Sequence, residues 1–407
     1  MSQTDMPAQS LRIVVTGGGS GGHITPVLAV AHELRTLRPD CEVLYIGQKG
    51  DSLSDIPERD PSITQAYGVR AGKFRRYHGA GWRQLLDIPT IAKNIRDGFY
   101  VLAGVIQSHR LLRRLKPQVV FVKGGFVGVP VGLAAAWLKI PIVTHDSDAI
   151  PGLANRIISR WATIHAVALP KEVYAYPADK TVTVGVPISH RYHPYSAAEQ
   201  QAVRQTLGFA ADQRILLVTG GGNGAARLNN NVADCVPALF KQYPELVVVQ
   251  LAGRSLEAAL KQRYKNSLSA EDLARVRVEG FISNLYDFSA IAEIVVTRAG
   301  GTSMAEFAAQ AKACIVIPNP ELTGGHQTKN AQVLVDKHAI ILIDEPTLAA
   351  KPTALQTAIG ELLDNPKQAQ KLGQNLHTIA HPDAARQLAM VLLEQAPQTK
   401  VASDNHA

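Results

Sequence analysis

Short blocks of consecutive apolar residues, rich in Val, Ile and Leu, recur along this 407-residue chain and alternate with longer amphipathic segments. Continuous apolar blocks are typical of parallel strands that helices cover on both faces. The pattern predicts strands at 11–16, 42–47, 119–123, 141–144, 163–168, 181–184, 215–219, 246–251, 275–279, 293–297, 313–317 and 339–343. The alternation predicts an α/β fold with two Rossmann-like, doubly wound domains in series.

The periodicity is interrupted near the middle of the chain, at 185–196, where Pro187, Pro194 and polar residues replace the apolar blocks. We therefore expect an N-terminal domain over 1–187 and a C-terminal domain over 188–383. A final amphipathic helix is predicted over 384–395, with Asp383 as its N-cap. A chain of this length is too long for one ordinary core, which agrees with two domains.

Composition narrows the class of protein. Apolar residues make up 46% and charged residues 19%, as in an ordinary globular protein, and the net charge of +8 suits an anionic partner. Residues 1–10 lack the apolar core of a secretory signal, and the longest apolar stretch, 126–138, is shorter than the roughly 20 residues that span a bilayer. The three cysteines stand singly, without metal or disulfide spacing, which favours a reducing compartment.

Two glycine-rich loops carry the strongest functional signal. One spans 17–22, directly after the first predicted strand, and the other spans 220–224, after the strand at 215–219. Glycines between a strand and a helix let backbone N–H groups approach an anion at the positive end of the helix. Two such loops predict two phosphate-bearing ligands, as in a transferase with a donor and an acceptor. No acidic residue clearly follows the second strand, which disfavours a dinucleotide oxidoreductase.

The first half contains candidates for acid–base chemistry. His23 closes the first loop at a helix start, where the positive helix end keeps an imidazole neutral and able to accept a proton. Gly124 and Gly125 follow a strand that is expected to end at the same sheet edge. His145, Asp146 and Asp148 follow the next strand and could orient hydroxyls, act as a base or cap a helix. No further ligand lies at metal spacing, so we expect no metal site here.

The second half contains candidates for nucleotide and sugar binding. Gly301 opens a predicted helix after the strand at 293–297, and Glu306 lies about one turn beyond Thr302 and Ser303, where a carboxylate could bind both hydroxyls of a ribose. Gln327 and Asn330, three positions apart, present two amides on one helical face, and amides suit sugar hydroxyls.

Basic and aromatic residues are interleaved at Lys73, Phe74, Arg75, Arg76 and Trp82. Such a mixture is typical of a surface that binds anionic lipid headgroups. It also fits a nucleic-acid patch or an ordinary solvated helix. Aromatic platforms for nucleic acid usually lie on strands, so we expect a membrane surface and no nucleic acid.

At 18–23, 298–306 and 326–331 the chain resembles the MurG family, and the similarity covers roughly residues 11 to 395. The resemblance implies a GT-B fold whose last helix returns to the first domain, and the inverting transfer of N-acetylglucosamine from UDP-N-acetylglucosamine to a MurNAc-pentapeptide on polyprenyl diphosphate. We expect peripheral attachment to the cytoplasmic face of the plasma membrane. No Asp-x-Asp metal anchor follows a strand in the second half, so we expect no obligatory metal and no other cofactor. A place in a cell-wall synthesis or division complex is compatible with the resemblance.

Residue pattern and resemblance together give two predicted sites. The acceptor-diphosphate set is Gly18, Gly19, Ser20, Gly21, Gly22, Gly124, Gly125, His145 and Asp148. The donor set is Gly222, Asn223, Phe281, Ile282, Arg298, Gly301, Thr302, Ser303, Glu306, Gln327, Asn330 and Arg191. His23 is the first choice for the base and Asp146 the second.

Three segments depart from the family pattern: 145–148, 185–189 and 222–223. The second of these lacks the family's usual arginine, and Arg191 is expected to replace it. The departures leave two alternatives open. The chain could be a UDP-sugar transferase with a different lipid acceptor, or a non-catalytic nucleotide-sugar-binding scaffold.

Overall fold

The computed structural model describes residues 10–19, 21–51, 53–73, 88–222, 224–320 and 325–396, which form two parallel sheets in succession. The elements of the first half are β1 (Arg12–Thr16), α1 (Gly21–Leu37), β2 (Glu42–Gln48), α2 (Asp55–Arg59), β3 (Gln65–Val69), α3 (Ile88–Leu115), β4 (Val119–Val122), α4 (Gly128–Trp137), β5 (Ile142–Asp146), α5 (Leu153–Ile158), β6 (Ile164–Val167) and β7 (Thr181–Thr183). Short 3₁₀ turns lie at Ser159–Trp161, Lys171–Val173 and Ala178–Lys180.

The second half repeats the strand–helix alternation. Its elements are α6 (Ala197–Leu207), β8 (Arg214–Thr219), α7 (Ala226–Gln242), β9 (Leu246–Leu251), α8 (Glu257–Ser267), α9 (Ala270–Leu273), β10 (Val276–Glu279), α10 (Leu285–Ile291), β11 (Ile294–Thr297), α11 (Gly301–Ala309), β12 (Ala313–Val316), α12 (His326–Asp336), β13 (Ile341–Leu342), α13 (Glu345–Ala350), α14 (Ala354–Asp364), α15 (Pro366–His377) and α16 (Ala384–Gln395). Helix α6 begins with a capping box between Ser196 and Glu199 and ends at Gly208, whose φ of 79° suits glycine.

The order of the strands explains where ligands can bind. In the described residues the sheets run β3-β2-β1-β4-β5-β6-β7 and β10-β9-β8-β11-β12-β13. The order reverses between β1 and β4 in the first sheet, and between β8 and β11 in the second. Chains leave such neighbouring strands in opposite directions, which opens a crevice at the carboxyl edge of the sheet. Each glycine-rich loop follows one of these strands.

The predicted fold class is confirmed, and each of the twelve predicted strands appears with ends within two residues of the prediction. Strand β3 was not predicted. It is an edge strand with the sequence Gln-Ala-Tyr-Gly-Val, and its partly exposed residues lack the apolar block that marks the buried strands. Edge strands need only one covered side, so their sequences give a weaker signal.

The two halves share buried surface. Helix α16 packs on α1, and its Leu388 and Leu392 enter the core of the first sheet. A smaller apolar cluster joins Val186 and Tyr192 to Ala309 of α11. Among the described helices, none combines the length and hydrophobicity needed to cross a membrane.

Candidate functional site

A cleft of about 1600 Å³ lies between the carboxyl edges of the two sheets, and both glycine-rich loops line it. The loops approach each other closely, because a Cβ on Gly222 would lie only 3.1 Å from the Gly21 nitrogen. The Thr302 hydroxyl at the start of α11 donates to the Gly22 carbonyl across the cleft, at 3.3 Å. The crevices at the two strand-order reversals therefore form one continuous site.

Most of the predicted residues line this cleft. They are Gly21, Gly22, His23, Gly124, Gly125, His145, Asp146, Asp148, Arg191, Gly222, Phe281, Ile282, Arg298, Gly301, Thr302, Ser303, Glu306 and Gln327. Lys73, from the predicted membrane set, also lines the cleft. The predictions for Ser20, Asn223, Phe74, Arg75, Arg76 and Trp82 fall outside the described residues.

Gly18 and Gly19 differ from the prediction, since neither lines the cleft. The Gly19 N–H donates to the Asp51 carboxylate at 2.9 Å, and the Phe126 ring covers this glycine. A phosphate at Gly18 or Gly19 would meet the like charge of Asp51. The free backbone at this end of the cleft is instead that of Gly21 and Gly22, at the start of α1. No local pattern indicates that Asp51, 32 positions after Gly19, contacts this glycine.

His23 borders the cleft, and its ring lies against the turn at Gly124 and Gly125. A Cβ on Gly124 would lie 3.5 Å from His23 Cε1, an ordinary contact distance, and the φ of 119° at this position is what suits glycine. Burial, reinforced by the charge of Lys123 and opposed by Asp148, lowers the pKa of His23 to about 4. The imidazole is therefore neutral at pH 7, as predicted. Burial is the main cause, whereas the sequence pointed to the helix end. Its Nδ1 is buried and has no hydrogen-bond partner in the described residues.

Lys123 is a cleft residue that sequence reasoning missed. It follows β4, is only 3% exposed, and lies within electrostatic reach of Asp146 and Asp148. Burial lowers its pKa, and the two carboxylates oppose that shift. A buried cation at the end of a parallel strand is unusual, and its position directly before Gly124 was the available signal. It gives the first half a positive charge next to His23.

Asp146 and His145 are more constrained than predicted. The Asp146 carboxylate accepts hydrogen bonds from Asn155 at 2.9 Å, from the Tyr176 hydroxyl at 2.9 Å and from the Gly152 N–H at 3.1 Å. Burial nevertheless raises its pKa. His145 is fully buried, and its Nε2 lies 2.8 Å from the Gly185 carbonyl, so this nitrogen carries the proton. Both side chains are thus engaged with protein groups, which suits support of the loop better than contact with a ligand.

Glu306 lies in the half of the cleft that the second sheet forms, one turn into α11. It is 6% exposed and faces the buried Tyr192, which lies a few residues before α6. Burial raises the pKa of Glu306 to about 8, and a hydrogen bond with Tyr192 partly opposes the shift. The side chain is therefore mainly protonated at pH 7 when the pocket is empty. Tyr192 is a second residue that the sequence analysis did not select.

Arg298, a member of the predicted donor set, lines the cleft and is also bonded to neighbouring protein groups. Its Nη1 donates to the Ile317 carbonyl at 2.8 Å and to Glu345 at 3.0 Å. Glu345 also binds Arg227 at 2.6 Å, so one carboxylate joins two arginines. Arg298 is 6% exposed. Its two hydrogen bonds connect the loop after β11 to the residue after β12 and to α13. A buried guanidinium needs a counter-charge. Glu345, 47 positions further along the chain, supplies it for Arg298.

Two arginines in this half of the cleft, Arg191 and Arg254, each stack on an aromatic ring. Arg191 donates to the Tyr286 hydroxyl and stacks on that ring, with its Cζ 5.1 Å from the centroid. Arg254 lies 4.9 Å from the centroid of Phe281 in the same manner. Both guanidiniums line the cleft.

Gln327 and Asn330 separate into different roles. Gln327 lines the cleft and accepts from the Asn319 N–H at 2.8 Å. Asn330 does not line the cleft, because its amide donates to the Ala299 carbonyl at 3.1 Å and to Asp148 Oδ1 at 2.7 Å. Asn330 and Asp148 are therefore a polar link between the two halves. This differs from the predicted sugar contact of Asn330.

Comparisons with known proteins agree with this geometry. Residues 13–167 match the glycosyltransferase family 28 N-terminal domain, and residues 215–388 match the corresponding C-terminal domain. The UDP-N-acetylglucosamine–N-acetylmuramyl-(pentapeptide) pyrophosphoryl-undecaprenol N-acetylglucosamine transferase of Leuconostoc mesenteroides is 31% identical over 387 residues, 94% of this chain and 99% of that protein. The Halalkalibacterium halodurans protein of the same name is 31% identical over 386 residues, 95% of this chain and 100% of that protein.

Solved structures share the architecture. Acinetobacter baumannii MurG superposes with a TM-score of 0.64 at 23% identity, over 94% of this chain and 99% of that one. The UDP-GlcNAc 2-epimerase of Neisseria meningitidis gives 0.66 at 15% identity, over 94% and 100%. At these identities the likeness concerns the fold alone, whereas the sequence relatives and the two domain matches define the family. The chain belongs to the MurG family of glycosyltransferases.

Proposed function

We propose that this protein transfers N-acetylglucosamine from UDP-N-acetylglucosamine to the MurNAc-pentapeptide of undecaprenyl diphosphate, forming lipid II. One observation carries the proposal: a single cleft joins the strand-order reversals of both sheets, each with a glycine-rich loop and a helix start. Such a cleft can hold two phosphate-bearing substrates face to face. The names of the relatives supply the identity of those substrates.

The donor is proposed to bind in the second half. The start of α11, at Gly301 to Ser303, directs N–H groups into the cleft and suits the diphosphate. Glu306, one turn further, would bind the ribose hydroxyls, and Phe281 with Ile282 would form the wall of the uracil pocket. Gln327, held by Asn319, would read the sugar hydroxyls.

The acceptor diphosphate is proposed to bind at the opposite wall. Gly21, Gly22 and Gly125 leave backbone exposed to the cleft, and Lys123 adds a positive charge below them. This arrangement supports the predicted acceptor position, with the centre of the site moved from Gly18 and Gly19 toward Lys123.

The reaction is proposed to be a direct displacement with inversion at the sugar carbon. The acceptor hydroxyl attacks, its proton passes to the imidazole of His23, and the bond to UDP breaks with both electrons leaving on the diphosphate oxygen. A neutral imidazole is required for this step, and burial keeps His23 neutral. The negative charge on the leaving group would be stabilised by the helix start at Gly301 and by Arg191. Since these groups supply the charge stabilisation, we expect no obligatory metal.

Attachment to an anionic membrane is proposed for one face of α3. Ile95, Phe99, Leu102 and Ile106 are spaced four, three and four residues apart, which places them on one side of the helix. Phe99 is 68% and Leu102 61% exposed, and the basic Arg113 and Arg114 lie in the last turn. Large apolar side chains that face water next to basic residues suit the headgroup region of a bilayer. The cytoplasmic face follows from the location of the proposed substrates.

The test is a transfer assay. Purified protein is incubated with UDP-N-acetylglucosamine and lipid I in vesicles, and UDP release is measured together with the glycosylated lipid. His23→Ala is expected to lower kcat by about 10²–10⁴-fold while UDP affinity is retained. His193→Ala is the matched control, because this exposed histidine does not line the cleft. Unchanged turnover in His23→Ala would remove His23 from its role.

The same assay separates the alternatives. UDP release with other lipid diphosphates and none with lipid I would favour a different acceptor. Tight UDP binding without turnover on any lipid would favour the scaffold.

A further inference from the structure

Two histidines and a glutamate converge at the seam between the two halves, outside the residues assigned to the reaction. His32 and Glu33 are neighbours on α1, and His190 lies in the segment that leads to the second sheet. One ligand atom from each residue lies within 4.8 Å of the other two. The rings of His32 and His190 stack, with centroids 4.6 Å apart and planes inclined by 26°. Among the described residues, no other His, Cys, Asp or Glu cluster reaches this proximity.

We infer that His32, Glu33 and His190 bind a divalent transition-metal ion of the Zn²⁺ class. Two imidazoles and one carboxylate form a donor set that Zn²⁺, Co²⁺ or Ni²⁺ accepts, whereas Mg²⁺ and Ca²⁺ favour oxygen ligands alone. A fourth position remains for water. Bonds of about 2.0–2.2 Å require ligand atoms closer than the observed limit, so the side chains must rotate inward. Both histidines are exposed, and the inward rotation would have to separate their stacked rings.

Glu33 already has a partner in the described structure, Arg386. The competing ion pair is weak, because Arg386 Nη1 lies 3.6 Å from Glu33 and is half exposed. An ion can therefore replace Arg386 as the partner of Glu33.

The position of the triad gives the ion a consequence for the cleft. His23 lies on the same helix, about 14 Å from His32 along the axis. Beyond His190 the chain continues to Arg191, which stacks on Tyr286, and to Tyr192, which faces Glu306. A metal would thus fasten the helix of the proposed base to the segment that touches the donor pocket. The binding itself does not depend on the proposed function; only this consequence does.

The test uses Co²⁺ and Zn²⁺ with the full, untagged chain. Titration with Co²⁺ is expected to give one visible d–d absorption band at one equivalent, which Zn²⁺ abolishes. Calorimetry with Zn²⁺ should give a 1:1 complex with a micromolar Kd. His32→Ala, Glu33→Gln and His190→Ala should each weaken binding by more than about tenfold, and His193→Ala should not.

Thermal unfolding keeps the result independent of activity. Zn²⁺ should raise the melting temperature of the parent and of His193→Ala, but not of His190→Ala. The assignment is wrong if His190→Ala binds Zn²⁺ with the affinity of the parent. It is also wrong if His193→Ala loses Zn²⁺ binding while His32→Ala retains it. A Zn²⁺ affinity weaker than millimolar would overturn it as well. Transfer activity with and without Zn²⁺ then tests the consequence alone, since loss of all activity would not alter the binding data.

Discussion

Glu306 allows a quantitative test of the proposed donor pocket. Burial moves its pKa from 4.5 to about 8, so the folded protein retains a proton that the unfolded chain releases. A carboxyl group with a raised folded-state pKa contributes stability that is complete below its unfolded pKa and is lost as the pH rises through the folded value. Between about pH 5 and pH 8, this group should therefore lower the free energy of unfolding by roughly 3 kcal/mol.

Glu306→Gln removes that titration and keeps the shape of the side chain. The variant and the parent should have similar melting temperatures near about pH 5, whereas near about pH 8 the variant should be more stable by roughly 3 kcal/mol, a shift of several degrees. Glu271→Gln, an exposed position, is the matched control and should follow the parent. Parallel pH profiles for Glu306→Gln and the parent would refute the conclusion that Glu306 is neutral in the empty pocket.

The pH dependence of nucleotide binding is a second test of the protonation state of Glu306. If the ionised form accepts the two ribose hydroxyls, UDP binding must displace the proton, and UDP affinity should rise about fivefold between about pH 7 and pH 8. Ionisation of the UDP phosphate is common to the parent and to Glu306→Gln, so the difference between their pH profiles isolates Glu306. Equal profiles would mean that the neutral acid binds the ribose.

Three further predictions concern the acceptor half and the seam. Lys123→Met should raise KM for the lipid acceptor by about tenfold or more and leave the Kd for UDP unchanged; the opposite pattern would place Lys123 on the donor side. In Asn330→Asp a carboxylate replaces the amide that lies 2.7 Å from Asp148 Oδ1, and the two like charges should separate the halves. X-ray scattering should then give a larger radius of gyration for Asn330→Asp than for the control Asn330→Ala. Since the pKa of His23 is about 4, kcat of the parent should not fall as the pH is lowered through about 6.5. A fall of kcat near about pH 6.5 that is present in the parent and absent from His23→Ala would contradict a neutral imidazole at that pH.

The sequence determined the architecture and the approximate location of the chemistry. Parallel strands that are buried on both faces must be apolar throughout, so their positions are written locally as blocks such as Val119–Val122. Loops that follow such strands lie at the carboxyl edge of the sheet, which is why the glycine turns and the residues after them could be selected as site residues. Strand β3, at the edge, was missed because an edge strand does not need this pattern.

The tertiary structure decided which charges meet. Strand order places Lys123 beside Asp146 and His23, the path of the chain after β2 brings Asp51 onto Gly19, and α13 carries Glu345 to Arg298. These pairings depend on distances between elements that are remote in the sequence, and on the burial that makes an unpaired charge costly. Neither quantity has a local signature. The sequence therefore predicted which loops line the cleft, whereas the packing of the two sheets determined which of their side chains are bonded to other protein groups.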